Sequence, residues 1–193
     1  MSKTRPHHPD TVLRKLTDAT RTHHLVRIHR TIEDTEPIEG FVLATNAAWT
    51  LLTPCHDFRL DGFTAVPTPD ISKVKRTGDE DSLTIRALRR RGQWPTPRTD
   101  VDLTALPALL LSASTRHHLV GLETERDTPG ALWIGAVLRI GRKTVRLHEL
   151  DPDARWHDKP SKFPLTAITR IQFAGHYEQT LHEFAGPRPA LQH

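Results

Sequence analysis

The strongest constraint on this chain is that it reads twice. The tetrapeptide His-His-Leu-Val runs from His23 to Val26 and again from His117 to Val120, and internal self-similarity constrains an architecture before any local propensity does. After each copy the apolar residues alternate, Val26 with Ile28 and Val120 with Leu122, the period of a half-buried strand. The next strand contains a glycine in both copies, Gly40 within 38–44 and Gly135 within 132–140, which predicts a sharp bend or bulge. A polar turn and a third strand, 49–52 against 144–150, complete a hairpin in each.

The register continues. A short apolar segment, 63–66 against 163–165, precedes Ile71-Ser-Lys-Val74 and Ile168-Thr-Arg-Ile171, and then come Gly78 and Gly175. The first glycine pair is offset by 95 residues and the second by 97, so small insertions alone separate the copies. The flanks agree as well. Asp10 is placed to cap a helix over 11–19 with Val12, Leu16 and Ala19 on one face, and a helix over 103–113 carries Pro107 in its first turn. Behind the strands, 81–91 has Asp81 or Ser82 as its cap and an apolar edge of Leu83, Ala87 and Leu88. Its counterpart 177–185 spaces Tyr177, Leu181 and Phe184 helically before Gly186-Pro187.

A helix followed by five short, bent strands resembles the Sm-like branch of the SH3-like small barrels. The family's hairpin pattern is matched in spacing by Gly40, Val42, Asn46, Trp49, Thr50 and Leu51. In that family an Asp and an Asn help form a pocket for an RNA base, and an Arg-Gly lies near the last strands. Here Asn46 and Thr50 stand at the first two positions, Gly141 and Val145 in the second copy, and Arg76-Thr77-Gly78 at the third. The resemblance implies the fold; the functional residues are not retained. The expected architecture is mainly β with flanking helices (α+β): a tandem duplication of a five-stranded SH3-like or Sm-like barrel, each preceded and followed by a helix. The units are 1–92 and 103–193, joined by a proline-containing linker, 93–102.

No motif points to catalysis, so the expected function is that of a non-catalytic binding protein without cofactor or metal. A net charge of +4 and a pI near 9.6 suit acidic partners, because cations release condensed counterions from phosphates. The candidate nucleic-acid contacts are Arg86, Arg89, Arg90 and Arg91, with Lys73, Lys75 and Arg76 from the last strand of the first unit. The alternative is a protein-interaction module, an adaptor or an immunity or antitoxin-like factor, using exposed aromatic and apolar surface. Its contact candidates are Trp156, His157 and Lys159 in a polar insertion, where a tryptophan suits an anchor or a stacking platform or folds back over a barrel end.

Other groups are set aside. Cys55-His56-Asp57 has the residue types of a nucleophilic triad, but consecutive side chains do not converge. The His23-His24 and His117-His118 pairs, placed on strands, point to opposite faces and do not chelate. A single cysteine excludes an internal disulfide framework. No stretch is long and apolar enough to span a membrane, and the first ten residues have no apolar segment typical of a leader. A cytosolic protein is expected, with nucleic acid or a protein as partner, no membrane, and an open oligomeric state.

Overall fold

The computed structural model describes residues 9–190, so the outermost parts of both expected units, 1–8 and 191–193, lie outside the described residues. In chain order the elements are α1 (Pro9–Thr22), β1 (Leu25–Arg30), β2 (Ile38–Thr45), β3 (Trp49–His56), β4 (Arg59–Leu60), β5 (Phe63–Pro67), β6 (Ile71–Arg76) and α2 (Leu83–Arg90). Then follow α3 (Leu106–His117), β7 (Val120–Glu123), β8 (Leu132–Ile140), β9 (Thr144–Glu149), β10 (Ser161–Pro164), β11 (Arg170–Phe173) and α4 (His176–Ala185). The protein is mainly β with helices at the flanks.

Two closed barrels are not what forms. All strands join one open antiparallel sheet in the order β10-β9-β8-β7-β11-β5-β3-β2-β1-β6, with β4 added to β3. The reason lies at β5. Instead of meeting β6, it pairs with β11, placing Ala65 opposite Ile171, Thr64 opposite Gln172 and Phe63 opposite Phe173. With β5 and β11 paired to each other, β6 and β10 have no strand of their own half left to close on.

Within that sheet the halves follow the same order, β6-β1-β2-β3-β5 and β11-β7-β8-β9-β10. Val26 faces Gly40 and Gly40 faces Pro54; Val120 faces Gly135 and Gly135 faces Glu149. Both glycines exist because the neighbouring strand leaves no room. A Cβ at Gly40 would lie 2.4 Å from the Thr53 carbonyl oxygen, and one at Gly135 would lie 2.2 Å from that of His148. Just beyond each glycine the register slips, between Val42 and Ala44 and between Val137 and Arg139, the bulge that lets a strand bend sharply. One sequence match shifts. Thr50 faces Val66 and Val145 faces Phe163, so Phe163 corresponds to Val66 rather than to Phe63.

Two cores lie on opposite faces of the first half. Val12, Leu16 and Ala19 of α1 pack on Val26, Ile28, Val42, Leu52 and Val74, while Ile85 and Leu88 of α2 cover Leu25, Phe41 and Cys55. In the second half Leu181 of α4 meets Leu119, Ile134 and Leu150. The largest core is shared: Leu109, Leu110 and Ala113 of α3 pack on Val120, Leu122 and Ile171 and also on Trp49, Leu51, Phe63 and Ala65 of the first half. No helix is long and apolar enough to cross a membrane among the described residues.

Helix details correct three expectations. Ser82 caps α2 by accepting from the Ile85 amide, whereas Asp10 sits inside the first turn of α1. Leu83, Tyr177 and Phe184 are exposed. The buried face of α4 is Leu181 with Glu178, because its start is docked against the first half: Asp61 accepts from the His176 amide at 2.7 Å.

Candidate functional site

The seam between the halves holds a cluster of buried charged groups. Arg30, at the end of β1, makes a two-pronged pair with Glu125, with side chains 1% and 7% exposed. Thr169 donates to the same carboxylate at 2.7 Å and accepts from the Glu125 amide at 3.0 Å. Burial acts to raise the Glu125 carboxyl, but the bonds from Arg30 and Thr169 outweigh it and hold it below the usual range. Glu123 shifts the other way, raised by burial and by Glu125, although Arg170 stands 3.4 Å away. Such a cluster ties the two halves of the sheet in one geometry.

Aromatic rings close the other end of the seam. His117 stacks on Phe173 at 5.2 Å and approaches Phe63 at 5.9 Å. Burial, then Arg116 and His118, depress its pKa. The neutral ring is therefore the form the fold favours, and stability conferred through His117 is present above the unfolded value near 6.5 and is lost as pH falls below it. Wild type is expected to lose stability relative to His117→Phe between pH 7.5 and 5.5 in denaturant titrations. A pH-independent difference would reject this.

The expected phosphate contacts are split up. Lys73 and Lys75 are exposed on one face of β6, opposite His29 and Arg27 of β1, residues whose alternation with Ile28 made them findable. Arg27 is paired with Glu39, and burial together with Lys75, Lys73 and Arg27 lowers the His29 pKa. Arg76 points to the other face and pairs with Asp79. Arg86, Arg89 and Arg90 are exposed on α2, but Arg89 shares a small cavity with Asp79 and Glu80. Arg91 lies past the helix and donates to the Phe58 carbonyl.

A denser basic surface lies at the opposite edge of the sheet. Arg139 of β8 faces Arg146 of β9, and Arg146 faces Lys162 of β10. All three are exposed, as are Arg142 and Lys143 in the turn between β8 and β9. None of the five forms an ion pair among the described residues. Sequence reading passed over them because the row exists only through strand register.

The remaining candidates lie in different surroundings. Trp156 is half-buried beside Leu119, Ile134 and Leu150, 5.0 Å from the His148 ring, while His157 and Lys159 are exposed. Cys55 is buried under α2, its thiol pushed up to about 11 by burial and by Glu39, and His56 and Asp57 face water. Asn46 accepts from the Ala48 and Trp49 amides and donates to the Leu103 carbonyl at 2.8 Å. Thr50 is fully buried and bonded to Thr45 and Thr68, so both positions of the implied base pocket serve the fold. The paired histidines are not on strands. They sit where α1 and α3 end, with His23 and His118 at positive φ as each helix gives way to a strand. No group of three or more metal-ligating side chains occurs among the described residues. Comparison of the chain with protein-family models, curated proteins and solved structures finds no match.

Proposed function

We propose that this chain is a non-catalytic binding protein, formed by duplication of one small Sm-like β unit, that holds a nucleic-acid strand along Arg139, Arg146 and Lys162. The shared strand order, the paired glycines and the paired bulges support the duplication. The observation that carries the binding reading is the row itself. Cross-strand neighbours stand about 4.5–5.5 Å apart, and like charges directly opposite one another destabilise a sheet. Three such residues in succession, with two more cations at the turn and no carboxylate paired to them among the described residues, cost stability unless an anion is bound. A phosphate backbone supplies anions in a line. The module reading through exposed aromatics has less support, since Trp156 and Trp133 both pack against apolar residues.

The test is salt-dependent binding of a labelled mixed-sequence single-stranded RNA. With five phosphate contacts, the logarithm of affinity is expected to fall against the logarithm of salt with a slope of about −3.5. Arg139→Glu combined with Arg146→Glu is expected to weaken binding by more than about tenfold and to flatten that slope by about one to two. Reversal of Arg89 and Arg90 should change it far less. RNA affinity indifferent to the β8–β9 substitutions would reject the proposal.

A further inference from the structure

We propose that the groove between α1 and β6 is a docking site for an added β-strand, supplied by a partner protein as an extended acidic segment. β6 ends the sheet, paired to β1 on one side. Beside it lies a groove of about 480 Å³, with Ala19, Val26 and Val74 at its floor and Arg14, Lys15 and Arg76 around it.

The molecule shows what such a groove accepts. In the second half the same place is filled: β5 lies along β11 and beneath α3. Val26 and Val120 hold the same register, so counting back along the helices sets Ala19 where Ala113 stands and Lys15 where Leu109 stands. The short turns before β6 and β11 end at Ile71 and Ile168, which sets Val74 where Ile171 stands and Arg76 where Phe173 stands. The floor is conserved between the two grooves in character, small and aliphatic. The rim is not. Leu109 and Phe173, which grip Ala65 and Phe63, are replaced by Lys15 and Arg76. An occupant of the first groove therefore needs a small aliphatic residue opposite Val74 and, two residues away on the same face, a carboxylate opposite Arg76, with a second one toward Lys15. Asp18 also lines the groove and Asp79 stands near it, but they are engaged with Arg21 and Arg76 in exposed pairs that a ligand carboxylate exchanges readily.

Charge also argues against a second copy. By the register of β5 on β11, the β10 edge of another copy would set Lys162 opposite Val74 and Pro160 opposite Arg76. Arg139 and Arg146, which hold the places of Ala44 and Leu51, would then be pressed under Arg14 and Lys15. Lysine and proline on an edge strand are what keeps edges apart, whereas backbone pairing plus alternate side-chain contacts is a general mode of peptide capture.

The probe is the blocked peptide Thr-Glu-Thr-Val-Thr-Glu-Thr, in which Glu, Val and Glu share a face, with a control peptide carrying Lys for Glu. The expected result is saturable binding of the acidic peptide alone, with slowed amide exchange in β6. Lys15→Glu combined with Arg76→Glu should lose at least tenfold in affinity and gain binding of the Lys peptide, at unchanged melting temperature. Arg139→Glu with Arg146→Glu should leave peptide binding intact, so failure of the RNA reading and failure of this one are separable. No binding, binding without protection of β6, equal binding of both peptides, or protein concentration alone protecting β6 would each overturn it.

Discussion

Replacing Arg30 by methionine is expected to destabilise the protein by about 3–5 kcal/mol, the usual cost of leaving one partner of a buried ion pair uncompensated. The geometry permits no escape to water: the Glu125 side chain is 7% exposed, and Thr169 alone remains to bond it. The double substitution Arg30→Met with Glu125→Leu should recover most of the loss, because a packed apolar pair avoids both desolvation costs. Urea titrations of the two singles and the double measure the coupling directly. A loss for Arg30→Met no larger than that of an exposed substitution, about 0.5 kcal/mol, would contradict the seam described above. Because Arg30 belongs to the first half and Glu125 to the second, the loss should fall on one cooperative transition and not split it into two.

Gly135→Ala is expected to cost about 3 kcal/mol and to lower the melting temperature by about 6–12 °C for a chain of this size. The added carbon meets the His148 carbonyl oxygen at 2.2 Å and the carbonyl carbon at 2.7 Å. Both belong to backbone in a hydrogen-bonded ladder, so no rotamer change relieves the contact and β8 must part from β9. Gly40→Ala repeats the experiment in the first half, against Thr53. Gly141→Ala is the internal control, since its nearest neighbour stands at an ordinary 3.4 Å. Calorimetry reads all three; equal melting temperatures for the Gly135 and Gly141 variants would show that the crowding is not real.

These two predictions differ in how far they were legible beforehand. Gly135 stood out because a glycine flanked by Trp133, Ile134, Val137 and Leu138 has no propensity reason to be in a strand, and its twin at Gly40 repeated the signal. Arg30 did not stand out. Its partner lies 95 residues away, and nothing in His29-Arg30-Thr31 distinguishes a buried cation from an exposed one. The same contrast separates the basic residues. The run of Arg89, Arg90 and Arg91 is visible in the chain, yet neighbours on a helix point in different directions and these three meet different surroundings. Arg139, Arg146 and Lys162 are scattered in the chain and become neighbours only when β8, β9 and β10 pair.

Local order therefore carried the strand pattern common to both halves: the period of two along each strand, the glycine that must lack a side chain, and the Ser82 cap of α2. Those features depend on steric and hydrogen-bonding limits within a few residues, which any chain of this order carries with it. How the two halves join was decided elsewhere. β5 could turn to its own β6 or cross to β11, and both edges offer equivalent backbone bonds. The choice falls to α3, whose Leu109, Leu110 and Ala113 bury Leu51 and Ala65 only if the strands cross, and to the Arg30–Glu125 pair that locks the crossing. That choice leaves β10 and β6 as the two ends of the sheet, and with them the basic row and the open groove. Contacts between residues so far apart have no local signature, so the surfaces on which the proposed functions rest belong to the tertiary structure.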